Sequence, residues 1–275
     1  MWCIAHSCWL QFMTGKPLDE VEAECRISVS RMSALNRKEA VHFTSPVWQA
    51  ILNLMGESRF TTALAGDAFG IDDDRVVWAL AEAGPLRPHL EICKTALLTY
   101  FGDYVEGADL FIKRGNRYLE DHPGHPQGNM DSFLKGVCLF AAAEQTGQRK
   151  YRKHAYSARA TIASWWKKGN PNSQHQVSFL DAEHYALTGK WEDAGICYQK
   201  AITLASRCGL TQDAALANER YAVCLLRRNK VGDYDEARFL LQRSMHLYQQ
   251  WGAAAVVTSL ETRYEKVLGS AKAFG

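Results

Sequence analysis

The stretch Gly189-Lys-Trp191-Glu-Asp-Ala194 decides the fold, because its order of glycine, aromatic, acidic and small residues recurs along the chain. It returns as Gly102-Asp-Tyr104-Val-Glu106-Gly107 and as Gly232-Asp-Tyr234-Asp-Glu-Ala237. Weaker copies start at Gly15, Gly56 and Gly147. Successive glycines therefore stand 41 to 46 residues apart. A period of this length is typical of stacked repeat units, none of which buries its apolar face alone.

Helical spacing of apolar residues dominates the sequence, as in segments 130–145, 214–228 and 236–250, and sustained alternation typical of strands is lacking. Breakers fall between these segments, for example at Gly84-Pro85 and in 169–172. The acidic run at 72–74 predicts a helix N-terminus, where carboxylates satisfy free amides. We therefore predict an all-α chain in which each recurring glycine lies between two helices. Around Gly189 the glycine permits the left-handed backbone that ends the first helix, and the turn before Gly232 is predicted to be about three residues longer.

Composition excludes several classes of protein. The 275 residues are 47% hydrophobic, and 32 basic against 30 acidic side chains leave a formal net charge of +2. Such a balance creates no global field toward nucleic acid or anionic membranes. The eight cysteines, set mostly among apolar residues, predict buried reduced thiols rather than a disulfide framework. The chain has no convincing signal peptide and no apolar run of membrane-spanning length, so we predict a cytoplasmic location and no membrane partner.

The unit around Gly189 carries the most detailed pattern. Small residues such as Ala182 and Ala194 allow two helices to approach closely, and the aromatic rings fill the space between neighbouring pairs. The full set in this unit is Ala182, Tyr185, Gly189, Trp191, Ala194, Tyr198 and Ala201. The predicted repeat-structural residues add those of two other units: Gly102, Tyr104, Gly232, Tyr234 and Ala237.

This set resembles the tetratricopeptide (TPR) helix–turn–helix signature. It departs from that signature where Ser206 replaces the terminal proline, and its period exceeds the usual one of about 34 residues. The resemblance implies a right-handed α-solenoid of antiparallel helix pairs with five to six degenerate repeats. One domain would span 1–275, with degenerate repeats in 1–84, better-defined repeats in 85–250 and a capping or connecting helix in 251–275.

A narrower resemblance covers nearly the whole chain. It rests on phrases such as Gly15-Lys-Pro-Leu18-Asp-Glu-Val21-Glu22, Tyr100-Phe-Gly-Asp-Tyr104 and Tyr248-Gln-Gln-Trp251-Gly-Ala253. These phrases resemble the helical middle region of large signalling proteins. In such proteins a serine/threonine-kinase-like region and an AAA/STAND-type ATPase precede the array, and GAF or PAS sensors and a hybrid histidine kinase often follow. The abrupt apolar start, without a polar cap, favours a fragment of a longer chain.

Motifs for catalysis are lacking: the sequence has no phosphate loop, no kinase signature set and no nucleophile elbow. We therefore predict no enzymatic activity in this chain and no cofactor. Two clusters raise the alternative of zinc, namely Cys3, His6 and Cys8 at the start and His122 with His125 in a loop. Neither supplies the two converging ligand pairs of a tetrahedral site, so no metal is predicted.

Basic residues around 149–154 and 167–168, with Trp165 and Trp166 between them, raise the alternative of nucleic-acid binding. The tryptophans lie in a helix whose apolar positions the array needs, so a solvated basic face outweighs that alternative.

The TPR resemblance places the binding surface on the concave side, built by the first helix of each pair. Inferring exposure from the spacing to each glycine, we predict a partner-binding set: Tyr100, Glu144, Glu183, Glu219 and Arg227. Three carboxylates favour a basic partner segment. The predicted function is a non-catalytic protein-interaction and regulatory scaffold that binds a protein or peptide, or an intramolecular ATPase or kinase domain. The alternatives are a free-standing TPR adaptor and a helical metal- or nucleic-acid-binding protein.

Overall fold

The computed structural model describes residues 2–82, 84 and 86–269, and every regular element in these residues is a helix. The first part contains α1 (Trp2–Met13), α2 (Leu18–Ala34), α3 (Lys38–Met55), α4 (Asp74–Ala81), α5 (Arg87–Tyr100), α6 (Tyr104–Arg114) and α7 (Arg117–Asp121). The second part contains α8 (Pro126–Thr146), α9 (Arg149–Lys167), α10 (Gln174–Leu187), α11 (Trp191–Arg207), α12 (Thr211–Arg228), α13 (Asp233–Trp251), α14 (Ala254–Arg263) and α15 (Glu265–Leu268). The predicted all-α class is confirmed.

The turn at Gly189 joins α10 and α11 as the sequence predicts. Gly189 has a φ of 75°, and the Lys190 amide donates to the Tyr185 carbonyl at 2.9 Å, which closes the end of α10. Ala182 and Ala194 are fully buried between the two helices. Tyr198 and Ala201 are also buried, whereas Tyr185 and Trp191 are half-buried. The glycine, the small residues and the rings thus form one close helix–helix contact.

Gly232 differs from the other glycines. Gly102, with a φ of 82°, follows α5 in the same way as Gly189 follows α10. By contrast, α12 ends at Arg228, and Asn229 takes the left-handed conformation there with a φ of 52°. Gly232 instead directly precedes α13. Asn229 is therefore the left-handed residue that ends the first helix of this unit, and Gly232 stands at the end of a longer turn, as the sequence predicts.

Two predicted repeat aromatics also diverge in their surroundings. Tyr104 is fully buried, but Tyr234 is 46% exposed, and its hydroxyl donates to the Lys266 carbonyl at 2.5 Å. Ala237, one turn further along α13, is fully buried. The small residue of the phrase thus keeps its place in the core, while the aromatic ring of this unit lies on the surface.

The unit at Gly56 has no full second helix. Residues 57–73 follow an irregular path, and only the eight-residue α4 comes after it. Polar side chains of α3 hold this segment: Asn53 Nδ2 donates to the Ala63 carbonyl at 2.7 Å, and Gln49 Oε1 accepts from the Ala68 amide at 3.2 Å. The predicted acidic helix start is confirmed, since Asp73 caps α4 by accepting from the Arg75 amide.

The two ends of the described chain meet. Helix α14 packs on α3, and Trp251 at the end of α13 lies 5.7 Å from Phe12 and 5.4 Å from Tyr100, measured between ring centroids. Gln212 Nε2, on α12, donates to the Met13 carbonyl at 2.8 Å. The C-terminal segment, predicted from 251 onward as a cap or connector, therefore covers N-terminal helices. Residues 270–275 of that predicted segment lie outside the described residues.

One hydrophobic core runs from Ala5 to Leu260 without a break at the predicted internal boundary at residue 84. Five of the eight cysteines are buried in the structure, as expected for thiols that behave as small apolar side chains: Cys8, Cys25, Cys93, Cys138 and Cys224. No helix of the described residues combines the length and the apolarity that crossing a membrane requires.

Candidate functional site

Most of the five residues predicted to bind a partner are covered. Tyr100 and Glu183 are each 2% exposed and Glu219 is fully buried, so the predicted exposure is wrong for these three. Glu144 is half-buried, and Arg227 alone is exposed. The spacing to each glycine gave no information on the helices and side chains that cover these residues.

Arg220 connects three helices through carboxylates. From α12, its Nε and Nη2 donate to the two oxygens of Glu183 on α10 at 2.8 and 3.0 Å. Nη2 also donates to Glu144 of α8 at 2.7 Å. Burial disfavours the charged guanidinium, but the charges of Glu183 and Glu144 outweigh it and raise the pKa of Arg220 well above its usual range. Arg220 is thus a permanent buried cation with matched anions.

Glu219, the neighbour of Arg220, receives its cation from the C-terminal segment. Arg263 Nη1, at the end of α14, donates to Glu219 Oε1 at 2.7 Å. The hydroxyls of Tyr104 and Tyr264 donate to the same oxygen at 3.3 Å each. We call Glu144, Glu183, Glu219, Arg220 and Arg263 the inner network. It joins α8, α10, α12 and α14, and three of its members are carboxylates that the sequence predicted to bind a basic segment.

The recurring glycine at position 102 makes room for Arg263. A Cβ atom built on Gly102 would collide with the Arg263 guanidinium, and the positive φ disfavours a side chain there in any case. Gly189 has the same backbone conformation, yet nothing lies within 4 Å of such an atom. Two glycines of the same sequence phrase therefore differ in what they accommodate.

A second polar cluster lies near the N-terminus and consists of imidazoles. His6 Nε2 of α1 lies 3.3 Å from His125 Nε2 in the loop before α8. His89 of α5 and His122 complete the group, with ring centroids 6.4 Å apart. We call His6, His89, His122 and His125 the histidine cluster. It brings together two sets of side chains that the sequence treated as separate zinc candidates.

The histidine cluster is packed among rings rather than arranged for a metal. Phe43 lies 4.6 Å from His89 and 4.8 Å from His6 between centroids, and Tyr118 stacks on His122 at 4.8 Å. Across the described chain, no group of three or more His, Cys, Asp or Glu side chains is placed to hold a metal ion. Cys8, from the same sequence candidate, is buried, while Cys3 is exposed.

Burial in the cluster disfavours the charged form of two of its imidazoles. Burial lowers the pKa of His89 to about 3, and the charges of His122, His125 and His6 act in the same direction. Burial also lowers the pKa of His125. The Nδ1 atoms of His89 and His122 are buried without a hydrogen-bond partner. The histidine cluster, as defined, contains no carboxylate to offset the charge of a protonated imidazole, in contrast to the inner network.

A cavity of about 570 Å³ opens beside the histidine cluster, and His125 contributes to its lining. The first turns of α8, α10 and α12 and the last turn of α1 line it, together with Trp165 of α9 and residues of the turn after α9, among them Lys168 and Asn172. The sequence analysis missed this cavity. Its available signal was a run of polar residues at the starts of three otherwise apolar helices, as in Asn129, Gln176 and Gln212.

The basic residues of α9 do not form one continuous surface. Lys150 pairs with Asp109 at 2.8 Å, and its ammonium lies 4.4 Å from the Tyr151 ring centroid. Trp165 lines the cavity, whereas Trp166 is exposed on the neighbouring face. The two tryptophans and Lys150 thus lie in different environments and do not form one shared surface.

No protein-family model matches this chain, and no curated protein or solved structure shows significant similarity to it.

Proposed function

We propose that this chain is a non-catalytic interaction and regulatory scaffold of the α-solenoid type, built from degenerate TPR-like helix pairs with a right-handed stack. The glycine-centred turns after α5, α8 and α10, and the packing of consecutive helices from α8 to α13, support this architecture. The inner side of the first helices is the surface on which it holds a basic helical segment.

One observation carries the proposal: the Glu219 carboxylate on that inner side is matched by Arg263 of the chain's own C-terminal segment. A buried carboxylate that keeps a full charge needs such a cation, because an uncompensated charge in the interior is costly. Arg263 arrives at the end of α14, a ten-residue helix that packs on α3 and also carries Glu261, so the segment presents one matched arginine rather than a net basic charge. A partner with an arginine at the same place on a helix would compete for Glu219.

The regulatory part of the proposal rests on the resemblance to helical regions of signalling proteins. There the array would connect a nucleotide switch to a kinase, which requires two discrete arrangements of one element. The C-terminal segment, bound or displaced, supplies these two arrangements. In a longer protein that carries this chain, removal of the array is expected to change the rate of nucleotide hydrolysis.

The direct test uses a fluorescent peptide of residues 253–269 added to the full chain, with fluorescence anisotropy as the measurement. An R263A chain holds its own segment more weakly and is expected to bind the peptide, whereas the wild-type chain competes as an intramolecular ligand. The double variant R263A/E219Q is expected to lose this binding. K266A is the matched control, because Lys266 is exposed on the same segment. Equal peptide binding by wild type and R263A would refute the proposal.

A further inference from the structure

The cavity has the dimensions of a ligand site. Its volume of about 570 Å³ lies within the usual range of small-molecule pockets, roughly 300–1,000 Å³. Apolar rings line it, among them Phe12, Phe133 and Trp165. Polar residues from the first turns of α8, α10 and α12 line it as well, and we call them the polar wall. Rings combined with a few hydrogen-bonding groups are a common lining of sites for polar organic molecules.

Hydrogen bonds hold the polar wall in place. Gln176 Nε2 donates to Asn129 Oδ1 at 2.8 Å, and Asn129 Nδ2 donates to Ser173 Oγ at 3.1 Å. Asp213 Oδ2 lies 2.7 Å from His175 Nε2. These side chains come from three helices, so the wall is fixed before any ligand arrives. Such preorganisation reduces the entropy that binding costs.

Acceptors on this wall remain unused. Gln176 is 4% exposed, and its Oε1 has no hydrogen-bond partner. Asp213 Oδ1 has no partner within the described residues, and its side chain is not fully covered. A buried acceptor without a donor is destabilising, so these atoms indicate that a donor from outside the chain completes the site.

The charges around the cavity select against ions of either sign. The N-termini of α8, α10 and α12 carry partial positive charge, and Lys168 stands at the rim, so an organic cation is disfavoured. The Asp213 carboxylate and the unpaired Gln176 oxygen repel an anion. A neutral group is favoured. The carboxylate requires a donor, while the side-chain amides of Asn170 and Asn172 in the cavity lining offer N–H groups that require an acceptor, and a hydroxyl group is both.

We infer that this cavity is a binding site for a neutral polyhydroxylated ligand of saccharide type. Hydroxyls donate to Asp213 Oδ1 and Gln176 Oε1 and accept from the side-chain amides of Asn170 and Asn172. The C–H face of the sugar ring packs on Phe133 and Trp165. The site shares no residue with the inner network, so it is a further binding site beyond the proposed scaffold function.

The test is isothermal titration calorimetry of the full chain against five saccharides: maltose, lactose, cellobiose, sucrose and N,N′-diacetylchitobiose. At least one is expected to bind, and D213N is expected to weaken it by roughly tenfold or more through loss of a charge-assisted hydrogen bond. N172W places a large side chain at the exposed rim and is expected to abolish binding without affecting the fold, since Asn172 is exposed.

Three controls make the outcome decisive. Sorbitol at equal concentration measures effects of a polyol that lacks a ring, and free arginine and inorganic phosphate represent the two charge classes. Peptide binding at Glu219 is expected to be unchanged in N172W, which separates this site from the scaffold function. If none of the five saccharides binds, or if binding persists undiminished in N172W, the inference is wrong. Binding of arginine or phosphate that N172W removes would overturn it equally.

Discussion

The inner network and the histidine cluster are both buried polar groups that connect helices distant in sequence, but they carry charge differently. In the inner network, permanent guanidinium charges from Arg220 and Arg263 meet the carboxylates of Glu144, Glu183 and Glu219. In the histidine cluster, four imidazoles lie among aromatic rings, and burial keeps His89 neutral. One group depends on compensated charge and the other on the lack of charge.

Because of this difference, the inner network responds to the exchange of a charged partner, whereas the histidine cluster responds to pH. Arginine keeps its proton at all physiological pH values, so the inner network changes only when a partner is removed or exchanged. Imidazole titrates near neutral pH when it is released into water, so the cluster senses acid through unfolding. Under the proposed function, competition for Glu219 displaces the C-terminal segment, while acid acts on the buried His89 through unfolding.

The largest expected effect is the removal of the central cation. An R220M variant leaves the buried Glu183 without its donor, while the half-buried Glu144 keeps Arg227 at 3.5 Å, and loss of one partner of a buried ion pair typically costs about 3–5 kcal/mol. The free energy of unfolding from urea denaturation measures the change. K150A removes an ion pair of similar length on the surface and serves as the control, with stability expected to stay within error.

Compensating substitutions refine this first prediction. If uncompensated charge is the cause, the triple variant R220M/E183L/E144L is expected to recover most of the stability, because apolar residues often replace a buried ion network at little cost. An R220M chain as stable as wild type would show that the carboxylates gain compensation elsewhere.

The next effect concerns acid. Unfolded histidine has a pKa of about 6.5, and His89 in the folded chain has a pKa of about 3. Between these values the unfolded state binds more protons than the folded state, so stability falls as pH falls. For His89 alone, the free energy of unfolding is expected to decrease by roughly 2 kcal/mol between pH 8 and pH 5.

An H89F variant tests this assignment, because phenylalanine keeps the ring packing and does not titrate. Urea denaturation at several pH values is expected to give a smaller acid-dependent loss in H89F than in wild type. H246Q, which changes an exposed histidine, is the control and is expected to retain the wild-type pH dependence. An unchanged pH dependence in H89F would assign the acid response to other groups.

The local part of this architecture was readable in the sequence, and the long-range part was not. The phrase at Gly189 predicts its own turn, since glycine, small and aromatic residues act within about twenty positions. Glu219 and Arg263 are 44 residues apart, and His6 and His125 are 119 apart, so no spacing rule connects them. The cover over the predicted binding face arises from helix α14 returning to α3, which depends on the curvature of the whole stack.

The smallest expected effect distinguishes two glycines of one phrase. G102A and G189A both place a side chain at positive φ, which costs about 1 kcal/mol. Only G102A also displaces the Arg263 guanidinium from its place beside Glu219, so its loss of stability is expected to be greater by a further 1 kcal/mol or so. In an R263A background this excess is expected to disappear, because the colliding group is gone. Urea denaturation of G102A, G189A, G102A/R263A and G189A/R263A measures the coupling between position 102 and Arg263. An excess that persists without Arg263 would place the strain in the backbone of the turn and remove the link between the recurring glycine and the C-terminal segment.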